Sequence, residues 1–288
     1  MNLCSRPDVQ ALLSRHGFRF SKSMGQNFLM DPSVPVRIAD ASGLDSSVGV
    51  LEIGPGIGAL TVELAKRAGR VTAVELDRSL LPVLSETLAP YPNATVVSGN
   101  ILSVNLKELV SSSFPCLTPV VCANLPYNIT SPVLSALIDS GCFQRITVMV
   151  QKEVALRICA GAGTASYGAF SVYAQYHMEP ELLFDVPPES FFPAPKVTST
   201  VITMTPHKTP PAQVEDEAFF FKVVRAAFGQ RRKTLVNALS AVFGSRFSKA
   251  DLQRAIVSCG LPADIRGERL DIPAFAALAS HLQGVRSA

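Results

Sequence analysis

Apolar and polar positions alternate along the middle of the chain in blocks typical of strands and helices. Short apolar runs that end in glycine, asparagine or charged residues predict strands at 48–53, 70–76, 94–98, 119–124 and 145–151. Helical spacing of apolar residues between and after these runs predicts helices at 59–67, 79–88, 131–140 and 152–159. Two later β-rich runs, 181–186 and 197–205, are expected to pair as an antiparallel edge. Strands that alternate with helices predict right-handed βαβ units and a mostly parallel sheet covered on both faces.

The pattern changes at 205–213, where three prolines in nine residues predict a stiff linker. Beyond it the apolar spacing is helical, with helices predicted at 219–228, 233–243, 252–259 and from Asp271 to about Leu282. Ser248 and Asp251 have the spacing of a capping pair for the third of these helices. We therefore expect two domains, an α/β domain over 1–205 and a helical domain over 206–288.

Composition excludes several classes of protein. The chain has 288 residues, 48% hydrophobic and 17% charged, which excludes a disordered chain. Mean hydropathy is +0.27, yet no apolar run approaches the roughly 18–20 residues that span a bilayer. Residues 1–19 lack an apolar segment followed by a small-residue cleavage site, so we expect no secretory signal. Six cysteines without a C-x-x-C pair predict free, buried thiols in a reducing cytoplasm, with no metal site.

Charge is concentrated at the two ends of the chain. Residues 219–288 hold eleven lysines and arginines against four acids, a local net charge of +7 in a chain of net charge +3. Residues 1–24 are also basic, with Arg6, Arg15, Arg19 and Lys22 against Asp8. Two explanations stay open on charge alone: a surface that binds a polyanion, or solvated helix faces.

A glycine-rich turn follows the first predicted strand. The segment from Glu52 to Gly58 (EIGPGIG) lies where a strand ends and a helix begins, so its backbone can approach a ligand closely. It has neither the Lys-Ser/Thr of a phosphate loop nor the G-x-G-x-x-G spacing of a dinucleotide site. Glu75, seventeen residues after Gly58, ends the next strand and can accept hydrogen bonds from two ribose hydroxyls. Since no pyrophosphate clamp is evident, S-adenosylmethionine (SAM) fits better than NAD, and Asn100 at the end of the third strand can contact its adenine.

The loop Asn124-Leu125-Pro126-Tyr127 follows the fourth strand, where a doubly wound sheet forms its ligand crevice. The amide oxygen of Asn124 and the carbonyl of Leu125 or Pro126 can accept both hydrogens of an exocyclic amine. That would orient the nitrogen lone pair toward a methyl sulfonium, while Tyr127 stacks on a flipped-out base. Catalysis by such a loop would be mostly positioning, without a strong general base.

These residues, taken in order, resemble the small-subunit ribosomal RNA adenine dimethyltransferases of the KsgA type. The resemblance runs from about Phe20 to Leu282, and its further segments are GQNFL at 25–29, FFPAPKV at 191–197, RRKTL at 231–235 and Arg269-Leu270. It implies a Rossmann-like class I SAM-dependent methyltransferase sheet of seven strands, the last antiparallel, plus a small all-α C-terminal domain. It also implies dimethylation of the N6 amino groups of two adjacent adenosines near the 3' end of small-subunit (16S) ribosomal RNA, in an immature 30S subunit. We expect a cytoplasmic monomer without membrane contact.

The resemblance also implies roles for individual residues. Cofactor contacts fall on six residues: Asn27, Leu29, Gly54, Glu75, Asn100 and Asn124. Position 100 is usually Asp in this family, so we expect Asn100 to change SAM affinity modestly. Asn124, Leu125, Pro126 and Tyr127 would hold the target base, with Phe192 either a second stacking surface or part of a structural proline turn.

The segment 26–29 is interpreted as a lid over the cofactor or as an arm packed on the core. Arg231, Arg232 and Lys233 are expected to begin a helix and contact RNA phosphate, because like charges at a helix start are otherwise unfavourable. RNA would bind in a basic cleft between the two domains.

Two other functions stay open from the sequence. One is a relative that methylates a large-subunit adenine and confers antibiotic resistance, which the 191–197 segment disfavours. The other is a non-catalytic RNA-binding assembly factor, which the intact glycine turn, Glu75 and the 124–127 loop disfavour.

Overall fold

The computed structural model describes residues 1–20 and 26–284. The strands of these residues are β1 (Phe28–Leu29), β2 (Val48–Ile53), β3 (Arg70–Glu75), β4 (Ala94–Ser98), β5 (Thr118–Asn124), β6 (Ile146–Gln151), β7 (Met178–Val186), β8 (Phe191–Phe192) and β9 (Ser199–Pro206). The helices are α1 (Arg6–Arg15), α2 (Ser33–Ala41), α3 (Ala59–Ala65), α4 (Leu81–Thr87), α5 (Leu106–Ser113), α6 (Thr130–Ser140), α7 (Lys152–Ile158), α8 (Ala169–His177), α9 (Glu217–Gly229), α10 (Leu235–Phe243), α11 (Lys249–Ser258) and α12 (Ile272–Gly284).

Seven strands form one sheet in the order β4-β3-β2-β5-β6-β9-β7. The five strands from β4 to β6 run parallel, and β9 pairs antiparallel with β6. This is the seven-stranded sheet with an antiparallel last strand that the family resemblance implies. The order reverses beside β2, because β3 and β5 flank it on opposite sides, and a crevice forms where the strand order reverses.

The core of the sheet follows from the apolar runs. All six residues of β2 are buried, as expected of a central parallel strand covered on both faces. The register aligns the carboxyl ends of neighbouring strands: Ile53 pairs with Val74, Glu75 with Ser98, and Asn124 with Met149. Polar residues that follow these strands are therefore brought to one edge of the sheet.

A second, two-stranded sheet joins distant parts of the chain. In it β1 and β8 pair antiparallel, with Phe28 opposite Phe192 and Leu29 opposite Phe191. Phe28 and Leu29 are both buried, and the segment before them lines the cavity described below. The segment thus packs on the core and borders the cavity, and its interpretation as a lid stays a prediction.

The chain divides into two compact units. The first holds Met1–Ala155 and Pro180–Pro206, and the second holds Leu156–Glu179 and the chain from His207 onward. The first unit ends at Pro206, and the division into domains over 1–205 and 206–288 stays a prediction. The segment 156–179 groups with the second unit, whereas the expected first domain, 1–205, includes it.

Aromatic packing explains that grouping. Tyr176 on α8 lies with its ring centroid 5.1 Å from that of Phe220 and 5.4 Å from that of Phe221, both on α9. Phe220 and Phe221 are buried in the core of the second unit. The helix α8 therefore shares its core with the C-terminal helices.

Two local predictions for the second unit had different outcomes. The Ser248 hydroxyl accepts from the amide of Asp251, whose carboxylate accepts from the amide of Ser248, so the predicted capping pair is confirmed. The helix predicted at 233–243 begins instead at Leu235, so the expectation that Arg231, Arg232 and Lys233 begin it is wrong. The Lys233 amide closes a turn on the Gln230 carbonyl, and the Leu235 amide donates to Ile265.

The cysteines are free, as predicted, but their burial differs from the prediction. Cys122 is buried on β5, Cys116 is exposed, and the other four are half-buried. Among the described residues, no helix combines the length and apolar character needed to cross a membrane.

Candidate active site

A cavity lies at the carboxyl ends of β2, β3, β4 and β5. Its volume is about 1090 Å³, including the open mouth. Its wall includes Asn27, Leu29, Gly54, Glu75 and Asn100, which the sequence analysis proposed for the cofactor. The loop Asn124–Tyr127 borders the same cavity. Residues from five separate segments of the chain thus meet at one place, as expected for loops that follow parallel strands.

The glycine turn forms the floor of this cavity in a left-handed backbone conformation. Gly54 has a φ of +68° and Gly56 a φ of +59°, a region that L side chains avoid. A Cβ on Gly56 would lie 3.2 Å from the ring of Phe28, closer than ordinary contact. The Gly54 amide donates to the Val74 carbonyl over 3.0 Å, which holds the turn against β3. The turn therefore needs glycine both for its conformation and for the approach of β1.

Glu75 ends β3 with its carboxyl group directed at the turn. Oε1 accepts from the Asp77 amide over 2.7 Å, and the residue is 6% exposed. Burial raises the pKa of Glu75, although backbone amides of Asp77 and Gly56 partly offset the rise. The side chain is thus fixed in place, as a group that receives ribose hydroxyls would need to be.

Asp77 and Gln26 form a polar contact on the cavity wall that the sequence did not indicate. Gln26 Nε2 donates to Asp77 Oδ2 over 2.6 Å, which ties the N-terminal segment to the loop after β3. Despite partial burial, hydrogen bonds from Ser79 and Gln26 hold the pKa of Asp77 below its usual range. Gly25, which precedes this segment in the family pattern, lies outside the described residues, as does Lys22.

Asn100 follows β4 and caps a short 3₁₀ turn at 101–103. Its Oδ1 accepts from the Leu102 amide over 3.0 Å. Because an amide oxygen has two lone pairs, one acceptor position remains for a ligand. The Asn100 side chain is exposed at the cavity wall.

The loop after β5 is held by hydrogen bonds at each of its ends. Asn124 Nδ2 donates to the carbonyl of Asn27 over 3.4 Å, and the Leu125 amide donates to Met149 over 3.1 Å. The Pro126 carbonyl accepts from the Ile129 amide and the Thr130 hydroxyl, both over 3.2 Å. Three polar groups of the loop, the Asn124 amide nitrogen, the Leu125 amide and the Pro126 carbonyl, are therefore used to fix its conformation.

Tyr127 is held by a hydrogen bond to β9. Its hydroxyl lies 2.6 Å from Oγ of Ser199, the fully buried first residue of β9. Burial raises the pKa of Tyr127, with the Ser199 hydroxyl acting in the other direction. The phenol is thus neutral at ordinary pH, and its ring is anchored at the cavity wall.

Phe192 does not line this cavity among the described residues. Its ring centroid lies 5.4 Å from that of Phe20, and the guanidinium of Arg6 lies 4.5 Å above it. Phe20 in turn packs 5.3 Å from Phe28, which does line the cavity. Phe192 therefore belongs to an aromatic cluster behind the β1 wall.

The basic triplet 231–233 lies in the turn between α9 and α10. All three side chains are exposed, but Arg231 donates to the carbonyls of Ala165 and Tyr167 over 2.8 and 3.1 Å. It also lies 3.7 Å from the carboxylate of Glu268. Arg231 therefore tethers this turn to a neighbouring loop of the same unit.

Glu52 is the residue of the cavity wall that sequence reasoning missed. It is 1% exposed, and its Oε2 is buried without a hydrogen-bond partner among the described residues. Burial raises its pKa to about 8 against the effect of the Thr61 hydroxyl, and the charge of Glu75 adds to the rise. The only sequence signal for a role of Glu52 was its position as an acid inside an otherwise apolar strand.

The model of the family described as "Ribosomal RNA adenine dimethylase" matches residues 17–260. The chain belongs to this family. It is a family of SAM-dependent methyltransferases, and the chain is a ribosomal RNA adenine dimethyltransferase. The expected family, fold class and enzyme class are therefore confirmed.

Two curated relatives of this dimethyltransferase are similar over their whole length. "Ribosomal RNA small subunit methyltransferase A" of Streptococcus gordonii is 46% identical over 286 residues, covering 98% of this chain and 99% of the relative. The protein of the same name from Streptococcus pneumoniae strain D39 is 46% identical over 287 residues, covering 99% of each chain.

Two solved structures resemble the dimethyltransferase across most of its length. A dimethyladenosine transferase from Plasmodium falciparum has a TM-score of 0.73 at 26% identity, covering 87% of this chain and 95% of the other. The 23S rRNA methyltransferase ErmE has a TM-score of 0.69 at 25% identity, covering 89% of this chain and all of the other.

The residues present at the cavity fit SAM. The left-handed glycine turn leaves room that a Cβ would remove, and the wall carries a buried carboxyl oxygen of Glu52 without a partner. The described lining residues include three acids, Glu52, Glu75 and Asp77. The same described residues include no lysine, arginine or histidine. Such an acidic wall suits a nucleoside that carries a positive charge, and it disfavours a negatively charged pyrophosphate.

Proposed function

We propose that this dimethyltransferase transfers methyl groups from SAM to the N6 amino groups of two adjacent adenosines near the 3' end of small-subunit ribosomal RNA. The observation that carries the proposal is the cavity itself, which joins the glycine turn and Glu75 to the Asn124–Tyr127 loop. Relatives named for small-subunit methylation, similar over their full length, support the choice of RNA.

SAM would be held by side chains and backbone from four strand ends. Glu75 would accept from the ribose hydroxyls, and Asn100 would accept from the adenine amine through its remaining lone pair. Gly54 would let the methionine portion approach the backbone, while Asn27 and Leu29 would cover the ligand from the β1 side. When bound, SAM supplies a methyl group activated by its sulfonium charge.

The loop after β5 would orient the amine of the target base. Asn124 donates through Nδ2 to Asn27, so its Oδ1 would serve as the first acceptor. The Pro126 carbonyl already accepts two hydrogen bonds, so Leu125 is the favoured second acceptor. With both amine hydrogens held, the nitrogen lone pair is directed along one line. Each transfer replaces one amine hydrogen with a methyl group, and the proton leaves to solvent.

Tyr127 would stack on the flipped-out adenine, since its ring is fixed by Ser199 at the cavity wall. Phe192 would support this surface through the aromatic cluster of Phe20 and Phe28. A direct stacking role for Phe192 stays a prediction. Its half-buried ring packs beneath Arg6, which favours a supporting role.

RNA phosphates would be contacted by the exposed turn of the second unit. Arg232 and Lys233 are free of the tethering contacts that hold Arg231, so they are the stronger candidates. Such binding is electrostatic and weakens steeply with salt. We propose that the enzyme acts as a cytoplasmic monomer on the immature 30S subunit, a location that suits its six free thiols.

The test is methyl transfer from labelled SAM to small subunits that lack the modification, followed by nucleoside mass spectrometry. The expected product is dimethyladenosine in small-subunit RNA. Asn124→Ala should lose at least about 100-fold in rate, in the range set by loss of a positioning contact. Asn105→Ala, at an exposed asparagine that does not line the cavity, serves as the matched control and should retain activity.

Other outcomes would favour the other functions. SAM binding with transfer only to large-subunit RNA would indicate the resistance-type enzyme, whose fold is shared by ErmE. RNA binding without SAM binding would indicate a non-catalytic assembly factor.

A further inference from the structure

Glu52 is buried, and one of its carboxyl oxygens lacks a hydrogen-bond partner among the described residues. The residue is 1% exposed at the end of β2, and its Oε2 has no hydrogen-bond partner in the described part of the chain. A buried carboxylate with an unpaired oxygen is strongly unfavourable, whereas a carboxylic acid is far less so. The protein without ligand therefore favours the protonated form.

The groups that face Glu52 reinforce this preference. Glu75 on β3 brings a second negative charge, and the Cys122 thiol on β5 is neutral, with a pKa raised by burial to about 12. Thr61 on α3 contributes an uncharged hydroxyl that favours ionisation only in part. Asp77 adds a further acid to the wall, and the described lining residues include no basic side chain. Nothing on the described wall therefore neutralises a charged Glu52, and a cation in the cavity would.

We propose that Glu52 is a carboxylic acid in the ligand-free enzyme and becomes a carboxylate when the positive charge of SAM enters the cavity, so that binding releases one proton to solvent. This rests on the proposed function, because it takes SAM as the ligand. Glu52 then favours a ligand that carries a positive charge.

The sign of the pH dependence follows from linkage. Burial raises the pKa of free Glu52 to about 8, and a bound cation lowers it. Between the lowered pKa and about 8, affinity for SAM rises with pH, by up to about tenfold per pH unit. Above about pH 8 Glu52 is ionised before binding, so this dependence ends. S-adenosylhomocysteine carries one positive charge fewer and should release a smaller fraction of a proton.

The experiment is titration calorimetry of SAM into the full-length enzyme at pH 7, in buffers of different ionisation enthalpy. The dependence of the observed heat on the buffer gives the number of protons released. Wild type should release close to one proton, and Glu52→Gln, which mimics the protonated acid, should release almost none. Glu108→Gln, at an exposed acid of α5, is the matched control and should match wild type.

A measurement on wild type alone covers the case in which Glu52→Gln fails to fold. In infrared difference spectra, addition of SAM should remove the carbonyl band of a protonated carboxylic acid. The proposal is overturned if SAM binds wild type without proton release or loss of that band. Equal release by Glu52→Gln, or equal release with S-adenosylhomocysteine, would overturn it too. Absence of SAM binding at every pH would instead refute the proposed function.

Discussion

Replacing Gly56 with alanine tests whether the glycine turn shapes the cavity for the ligand. The φ of +59° makes an L side chain unfavourable by about 1–2 kcal/mol. In addition, the new Cβ would lie 3.2 Å from the Phe28 ring, so the turn or β1 must move by a few tenths of an ångström. The strain alone should lower Tm by roughly 2–8 °C, since about 1 kcal/mol corresponds to roughly 2–4 °C in a unit of this size.

The movement should also weaken SAM binding. The turn and β1 form two walls of the same cavity, so one misaligned hydrogen bond, worth about 1 kcal/mol, would reduce affinity about fivefold. Gly141→Ala provides the control, because Gly141 has a φ of +64° and nothing within 4 Å of a new Cβ. It should lose similar stability at the end of α6 without losing SAM affinity.

Thermal unfolding by circular dichroism and SAM titration by calorimetry measure the two effects separately. If Gly56→Ala bound SAM as tightly as Gly141→Ala, the contact with Phe28 would not position the cavity wall, and the reasoning would be refuted.

Three further changes test other parts of the site. Ser199→Ala removes the hydroxyl that anchors Tyr127, and it should lower kcat about five- to tenfold while leaving the Kd for SAM unchanged, since a hydrogen bond contributes about 1 kcal/mol. Arg232→Ala and Lys233→Ala should each weaken RNA binding and reduce the slope of log affinity against log salt by about 0.7–0.9, as measured by filter binding. Unchanged slopes would exclude phosphate contact. Asn100→Asp should raise SAM affinity only modestly in calorimetry, and a large gain in activity would show that the family's usual acid matters more than the hydrogen bond.

The parallel sheet could be predicted from the sequence because its strands are continuous apolar runs with clear ends. β2, β3 and β4 lie within one residue of the predicted bounds. The pairing of β1 with β8 was not readable, since two-residue strands carry no periodicity and their partners are far apart in the chain. The grouping of α8 with the second unit was hidden for a related reason, because it depends on aromatic contacts with α9.

The candidate site was predictable where a residue ends a strand or closely follows one. Glu75, Asn100 and Asn124 were located by that rule, because parallel strands end at one edge of the sheet. Glu52 was missed because an acid within an apolar run gives no sign of its burial. The role of Arg231 as a tether depends on carbonyls of a distant loop, which no sequence pattern specifies.

The pairing of Phe28 with Phe192 has a consequence for the order in which the protein forms during synthesis. The strand ends that border the cavity emerge from the ribosome early, but β1 must wait until β8 has been made. At roughly 5–20 residues per second, that interval is about 10–30 s. In the last part of this interval, after residues 124–129 have been made, the nascent chain has a cavity whose β1 wall is not yet paired with β8. The enzyme should therefore acquire its affinity for SAM late in its own translation.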